Sequence, residues 1–394
     1  MISTKRNVAL LTACQALLFT NNSTLISING LAGLALAPYV GLATLPVTCW
    51  VLGGAIGTMP ASLHMKRVGR QRGLITGTFF GIAGALICST AIWLQSFWML
   101  CCGTLVWGVY NAYGQYYRFA AADMAAPDFR ASAVSLVLAG GLVGGIIGPT
   151  TSRWTIELLA PKFLGAYLAL IAFALVTMYL LRFIRMPTPS ATEHTATARP
   201  LREIVAQPKF IVAVMAGAIG YGVMNFLMTS TPIAMQVCGH PYGDATFVIS
   251  SHIIGMFAPS FVTGPLIRRV GPLPVMFTGA LLNFAAIGIA LSGIAVAQFW
   301  WSLVILGVGW NFLYIGGTVL LTQTYRPEER ARAQGTNEQA IFIMMAISSL
   351  SSGLTVTTAG WERVNLFALP LVALVAVAIA WYALHERSQK AAPA

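Results

Sequence analysis

The sequence predicts an all-α membrane protein, with twelve transmembrane helices arranged as two pseudo-symmetric six-helix bundles. Of its 394 residues, 57% are apolar and only 9% carry a charge, a composition that excludes a soluble globular protein. The apolar residues form twelve runs of roughly 20 residues, the length that an α-helix needs to cross a bilayer. A loop motif and several polar positions recur about 200 residues apart, which indicates that the two halves are internal repeats.

Each apolar run predicts one membrane-spanning helix. Lys5 and Arg6 precede the first run, as they would in a signal peptide. No convincing cleavage site of small residues follows, so we expect this segment to be a retained first helix. The predicted spans are 8–28, 41–63, 73–93, 98–118, 132–152, 164–184, 210–236, 244–266, 275–294, 298–322, 336–358 and 364–384.

The basic residues are distributed unevenly between the predicted loops. Of the 23 Lys and Arg residues, 20 lie on the amino-terminal side of the membrane, and the opposite side holds only Arg153, Lys162 and Arg363. Because basic loops stay in the cytoplasm, we expect both termini to be cytoplasmic. The net charge of +12 therefore reflects membrane topology and does not indicate a nucleic-acid partner.

A polar segment rich in Pro, Thr, Ser and Ala divides the chain. The sequence predicts an N-terminal bundle over 1–185, a cytoplasmic linker over 186–209 and a C-terminal bundle over 210–394. Two parallel six-helix halves are typical of transporters whose substrate site lies between the halves near mid-membrane. The repeat is carried by Lys66-Arg67-Val68-Gly69 and Arg268-Arg269-Val270-Gly271, and by Asn111 with Tyr117-Arg118 and Asn311 with Tyr325-Arg326.

Two pairs of sulfur and imidazole side chains occupy consecutive predicted spans. Met224 and Met228 lie four residues apart in the seventh span, and His252 and Met256 lie four residues apart in the eighth. At 3.6 residues per turn, each pair shares one helix face. If the two helices are antiparallel neighbours, the four side chains converge near the middle of the bilayer.

These four side chains favour a soft metal ion. Thioether ligands select Cu(I), and imidazole accepts it, whereas Mg²⁺, Ca²⁺ and Mn²⁺ prefer carboxylates, which no span centre contains. Neutral ligands leave the charge of the ion uncompensated, so the inside-negative membrane potential favours import by up to roughly 2.3 kcal/mol per 100 mV.

Further candidates extend this predicted site. Met235 shares the face of Met228, and Cys238 and His240 follow it in the outer loop, as a relay for capture would require. Cys49 lies about 200 residues before His252, so the repeat predicts that it faces the same cavity. Three amide side chains complete the predicted cavity lining: Asn22, Asn111 and Asn311.

The loop motifs resemble those of the major facilitator superfamily over nearly the whole chain. The resemblance is carried by Arg67-x-Gly69-Arg70 and by Gly264-x-Leu266-Ile267-Arg268-Arg269-x-Gly271. Lys66 and Arg268 occupy the place where an acidic residue is usual, so the salt-bridge gating of this loop is not expected here.

The Met and His motifs resemble those of the CcoA-type copper importers, a bacterial inner-membrane branch of the superfamily that is close to riboflavin transporters. The resemblance implies that Met224, Met228, His252 and Met256 bind copper, and that the thiols of Cys49 and Cys238 assist. It predicts a secondary transporter that imports copper by alternating access for cytochrome oxidase assembly. We expect copper as substrate, no resident cofactor, copper chaperones as partners, a monomer in the lipid bilayer and no nucleic-acid partner.

Two other hypotheses stay open. A non-transporting sensor or assembly partner has little support, since the chain has no sizeable soluble domain. An organic-solute carrier of the riboflavin or drug type would use aromatic and amide groups such as Trp50, Trp107, Tyr110, Asn111, Tyr113, Gln115, Trp310 and Asn311. No nucleophile, base and orienting group form a catalytic set, so an enzyme is not expected.

Two charged residues fall near the predicted spans. Glu338 would suit a proton carrier, but Asn337 and Gln339 beside it favour an ordinary polar helix end. Arg118 follows Tyr117, which favours an anchor at the membrane interface.

Overall fold

The structure is a computed structural model that describes residues 2–39, 42–186 and 199–391. Most of these described residues lie in fourteen α-helices and in the 3₁₀ turn that precedes the last of them. The helices are α1 (Ile2–Leu36), α2 (Leu45–Val68), α3 (Arg70–Trp93), α4 (Phe97–Gly114), α5 (Tyr117–Met124), α6 (Arg130–Thr155), α7 (Leu164–Leu181), α8 (Leu201–Val205), α9 (Pro208–Val237), α10 (Tyr242–Phe257), α11 (Ser260–Val270), α12 (Pro272–Leu291), α13 (Val296–Leu321) and α14 (Arg330–Ala391), and the 3₁₀ turn is Pro327–Glu329.

The helices account for the twelve predicted crossings. Within the described residues, eight helical segments are each long and apolar enough to cross a membrane by length and composition alone. The 62-residue α14 bends at Gly360, whose φ of 80° is not helical, and so supplies two crossings. Two other predicted spans are broken helices, α4 with α5 and α10 with α11, the latter interrupted beside Pro259. The predicted all-α, twelve-helix architecture is confirmed.

The repeated loop motif has the same backbone geometry in both halves. Gly69 separates α2 from α3 with φ 88°, and Gly271 separates α11 from α12 with φ 86°. Only glycine adopts this region readily, because a Cβ atom would clash with the backbone. The recurring Val-Gly pair therefore marks a sharp turn between two helices in each half.

The chain folds into two compact units. The first unit comprises Met1–Ala125, Leu136–Ala196 and Gln334–Phe342, and the second comprises Ala126–Ser135, Thr197–Ala333 and Ile343–Ala394. The first turns of α14 thus belong to the first unit and the rest of that helix to the second. The predicted bundle boundaries at 185 and 210 stay a prediction.

One helix lies at the centre of each unit. In the first unit, α4 packs extensively on both α2 and α3. In the second unit, α13 packs on α9, α10 and α12, and most of its length is buried. The central helices carry Asn111 and Asn311, the two asparagines that the sequence repeat relates.

An ion pair between half-buried Arg199 and buried Glu329 fixes the turn before α14. The Glu329 carboxylate is fully buried and accepts bonds from Arg199 Nε at 2.6 Å and Arg199 Nη2 at 2.7 Å. It also accepts a bond from the backbone N–H of Arg326 at 2.9 Å. Glu329→Gln should lower the free energy of unfolding by about 1.5–3 kcal/mol, the usual contribution of a hydrogen bond to a charged group. Thermal unfolding in detergent measures this loss.

The control is an ion pair that is open to solvent. Lys162 and Glu157 lie 2.9 Å apart, with side chains 56% and 73% exposed. Glu157→Gln should change the unfolding free energy by less than about 1 kcal/mol, because water screens such a pair. Equal melting temperatures for both variants would show that the Arg199–Glu329 pair does not stabilise the turn.

Candidate functional site

Two amide side chains meet inside the first unit. Asn22 on α1 donates from Nδ2 to Asn111 Oδ1 on α4 at 2.8 Å, and Gln115 Nε2 reaches the same oxygen at 3.4 Å. Asn22 Oδ1 is buried and has no hydrogen-bond partner. Neither of these two hydrogen bonds uses the amino group of Asn111. The pair therefore offers one acceptor and one donor side by side, in a setting where an unmade hydrogen bond is costly.

The related asparagine of the second unit is fully engaged. Asn311 Nδ2 donates to Met256 O and to Ser260 Oγ, each at 2.7 Å, and its Oδ1 accepts from Thr263 Oγ1 at 2.7 Å. These bonds tie α13 to α10 and α11. Asn311, predicted to line the cavity, has the contacts of a structural residue, whereas Asn22 and Asn111 retain capacity for a ligand.

The second unit contributes an aromatic cluster. The Trp310 ring stacks on Tyr314 with centroids 4.8 Å apart, and Tyr221 on α9 meets Trp310 edge-on at 5.4 Å. Phe257 at the end of α10 completes the cluster, 5.8 Å from Trp310. Tyr221 is half-buried whereas the other three rings are buried, so it is the member at the edge of the cluster.

The predicted metal ligands are placed by different helices of the second unit. Met224 is buried and Met228 half-buried on α9, and His252 and Met256 are buried on α10. Helix α10 packs far more extensively on α13 than on α9. The His252 Nδ1–H donates to Leu303 O on α13 at 2.6 Å, and its buried Nε2 has no partner. These positions do not test the metal assignment, which stays a prediction.

The predicted relay residues are spread over both units. Met235 is fully buried in α9, and Cys238 is half-buried directly after that helix. The His240 ring bonds to Ile294 O at 2.7 Å and meets Phe299 edge-on at 5.9 Å. Cys49 lies in the first unit, half-buried on α2 and in side-chain contact with Cys101 on α4. Their role in capture stays a prediction.

Sequence reasoning missed a buried ion pair in the first unit. Arg118 on α5 and Glu338 on α14 are bonded through Nη2 and Oε1, with side chains 1% and 0% exposed. The interpretations of Arg118 as an interface anchor and Glu338 as a polar helix end are wrong for this reason. The signal available in the sequence was that Glu338 falls within the predicted span 336–358.

Comparison with known proteins identifies the family. The Major Facilitator Superfamily model matches residues 11–322 and 239–394, which together cover nearly the whole chain. The chain belongs to the major facilitator superfamily. The prediction of a multi-pass transporter that is not an enzyme is thereby confirmed.

Relatives in the superfamily correct the predicted substrate. The chain is 41% identical over 379 residues to the riboflavin transporter RfnT of Brucella anthropi, covering 95% of this chain and 94% of that protein. It is 27% identical over 361 residues to the uncharacterized MFS-type transporter YddS of Bacillus subtilis, covering 86% and 82%. The likeness to a riboflavin transporter contradicts the predicted import of copper for cytochrome oxidase. These relatives do not show that the chain belongs to the predicted branch, the CcoA-type importers.

Solved structures of the superfamily share the fold at low sequence identity. An outward-facing FucP matches with a TM-score of 0.73 and 17% identity, over 95% of this chain and 98% of that one. The human organic anion transporter MFSD10 matches with a TM-score of 0.77 and 12% identity, over 95% and 99%. At this identity the matches support the fold and carry no information about the substrate.

Proposed function

We propose that this protein is a secondary transporter that carries riboflavin, or an organic solute of the same chemistry, across a bacterial inner membrane. The observation that carries this proposal is the 41% identity to a riboflavin transporter along 95% of the chain. The excess of basic residues on one side, 20 of 23, supports cytoplasmic termini. We also propose that the protein acts as a monomer and has no resident cofactor. Copper chaperones are no longer proposed as partners.

The amide pair of the first unit suits the polar edge of a flavin. The pyrimidine part of the flavin ring carries an imide, in which an N–H donor lies between two carbonyl acceptors. Asn22 Oδ1, which is buried without a partner, would accept from that N–H. The amino group of Asn111 would donate to a neighbouring carbonyl. We propose that this pair reads the imide edge, because buried polar groups strongly favour ligands that satisfy them.

The aromatic cluster of the second unit has the composition of a surface that stacks on a flat ring such as that of a flavin. Pockets for organic ligands are lined mainly by apolar and aromatic side chains, with few polar groups to fix orientation. Tyr221 lies half-buried at the edge of the cluster that contains Trp310 and Tyr314. Offset stacking on such a ring contributes about 0.5–1.5 kcal/mol beyond area burial.

Uptake by cells tests the proposed function. In a bacterial strain that neither makes nor imports riboflavin, the protein should restore growth at low external riboflavin and raise the entry of radiolabelled riboflavin well above the vector control. Radiocopper accumulation in the same cells should equal that of the control. Protein present in the membrane without any gain in riboflavin entry would contradict the proposal.

A further inference from the structure

Two cysteine side chains meet between α2 and α4. Cys49 lies in the second turn of α2, which begins at Leu45, and Cys101 lies in the second turn of α4, which begins at Phe97. The two thiols are in hydrogen-bonding contact. Both cysteines are free, and Cys49 is half-buried whereas Cys101 is only 6% exposed. The contact therefore joins a reachable thiol to a shielded one.

Close packing of the two backbones fixes the register of this pair. A Cβ atom on Gly53 would overlap Leu105 O, and a Cβ atom on Gly57 would lie 3.1 Å from Val109 Cα. The second contact lies about one helical turn further along both helices than the first, so α2 and α4 run in the same direction. The same offset, taken one turn earlier, pairs the two cysteines.

The separation of these helices suits a disulfide. Helices ordinarily pack with their axes about 8–10 Å apart. Bridged cysteines need Cα atoms about 4.4–6.8 Å apart. At the α2–α4 crossing glycines remove the side chains that keep helices apart, since a Cβ atom on Gly108 would overlap Trp50 O and lie 2.7 Å from Gly54 N. The backbones therefore approach more closely than in an ordinary helix pair, as a disulfide between facing residues requires.

The other thiols of the first unit are placed differently. Cys102 is exposed and points about 100° away from Cys101 around α4. Cys88 on α3 is fully buried, and its Sγ lies 4.0 Å from Leu100 O, while Cys14 on α1 is also fully buried. Within the described residues, no group of three or more His, Cys, Asp and Glu side chains could hold a metal ion. The contacting thiols thus suit oxidation better than metal binding.

The contacting thiols lie near the end of the helices that faces an oxidising compartment. With both termini in the cytoplasm, the orientation that belongs to the proposed function, the chain enters α2 and α4 from the outer face of the membrane. Disulfides form and persist in the bacterial periplasm, whereas cytoplasmic reductants keep thiols reduced. An oxidant from the outer side meets the half-buried Cys49 before Cys101.

We propose that Cys49 and Cys101 are a thiol-oxidation site, at which a disulfide-containing oxidant of the outer compartment links α2 to α4. Cys49 loses its proton to water and attacks one sulfur of the oxidant, whose S–S bond breaks. Cys101 then loses its proton and attacks Cys49 Sγ, which releases the second half of the oxidant. Each leaving sulfur takes up a proton, so two thiols become one disulfide while the oxidant becomes two thiols.

Peptide mapping of the purified protein tests the site. The wild type is reduced with dithiothreitol, freed of reductant, incubated with oxidised glutathione, unfolded and alkylated. Mass spectrometry should find the peptides of Cys49 and Cys101 joined, with the loss of two hydrogen atoms. Cys14 and Cys88 should be alkylated. Glutathione that remains on Cys49, or a link from Cys49 to Cys102, would overturn the proposal.

Serine variants provide matched controls. Cys49→Ser and Cys101→Ser should each abolish the link, whereas Cys102→Ser, which removes an exposed neighbouring thiol, should form it as the wild type does. Oxidation should raise the melting temperature of the wild type by a few degrees, because the link restricts the unfolded chain. An equal rise in Cys49→Ser would overturn the proposal. If a serine variant does not fold, the wild-type peptide map still decides, since it needs no substitution.

Quenched cells test whether the site is used. Cells are treated with acid and an alkylating reagent before lysis, so that each thiol keeps its redox state. Most copies of the protein should carry the Cys49–Cys101 link, and treatment of the cells with dithiothreitol before quenching should remove it. Alkylation of both thiols in untreated cells would overturn oxidation in the outer compartment. None of these measurements uses riboflavin, so their failure is distinguishable from failure of the proposed solute.

Discussion

Gly108→Val should abolish the accumulation of folded protein in the membrane. Gly108 lies where α4 crosses α2, and a Cβ atom there would overlap Trp50 O and lie 2.7 Å from Gly54 N and 2.8 Å from Gly53 Cα. These are backbone atoms, which cannot move aside as a flexible side chain would. The two helices would have to separate, at a cost above the roughly 1–3 kcal/mol that is typical of overpacking. Size-exclusion profiles of a fluorescent fusion measure the folded fraction.

The matched control is Gly288→Val on α12. No heavy atom lies within 4 Å of a Cβ atom at this position, and its backbone is helical. The substitution introduces the same β-branched residue into a helix, with the same loss of local propensity. We expect a folded fraction close to that of the wild type. Comparable losses for Gly108→Val and Gly288→Val would show that the α2–α4 contact is not the cause.

Asn111→Leu should weaken riboflavin transport roughly 10–100-fold, with the loss in apparent affinity. The change removes the amino group that we propose donates to the flavin, and it leaves Asn22 Nδ2 without its acceptor. A buried polar group left unpaired costs about 1–3 kcal/mol, which corresponds to that range of affinity. Initial rates of labelled riboflavin uptake over a range of concentrations measure the effect.

A substrate analogue shows whether the imide is read. Riboflavin methylated on the imide nitrogen lacks the N–H that Asn22 Oδ1 would accept. The wild type should prefer riboflavin by at least about tenfold, and Asn22→Leu, which removes that acceptor, should discriminate much less. Asn311→Leu is the structural comparison, since the three hydrogen bonds of the Asn311 side chain stay within the second unit. The Asn311→Leu protein that folds should keep the wild-type preference for riboflavin over the methylated analogue. Unchanged discrimination in Asn22→Leu would remove the amide pair from recognition of the imide.

The fold could be predicted because the membrane and the backbone impose requirements that are visible in the sequence. A span must be about 20 apolar residues long, and a sharp turn between helices needs glycine, as at Gly69 and Gly271. The predicted break near residue 360 likewise coincides with a non-helical glycine. Interrupted spans such as α10 and α11 were not predicted, because hydropathy does not distinguish a broken helix from a continuous one.

The substrate could not be predicted in the same way. Methionine fills gaps in apolar helices as readily as it binds soft metals, and Met224 and Met235 are both buried within α9. A sulfur pattern therefore does not separate packing from ligation. The Arg118–Glu338 pair was missed for a different reason, since the sequence does not show that residues 220 positions apart meet.

Counterflow in proteoliposomes tests most directly the claim that riboflavin is the solute. It needs only the purified protein and riboflavin, and it makes no assumption about a coupling ion. Vesicles are loaded with unlabelled riboflavin, diluted into a trace of labelled riboflavin, and sampled over time. We expect the label inside to rise above its equilibrium level and then fall as the internal pool drains. Label that never exceeds the level in protein-free vesicles, with the protein folded and inserted, would contradict riboflavin as the solute.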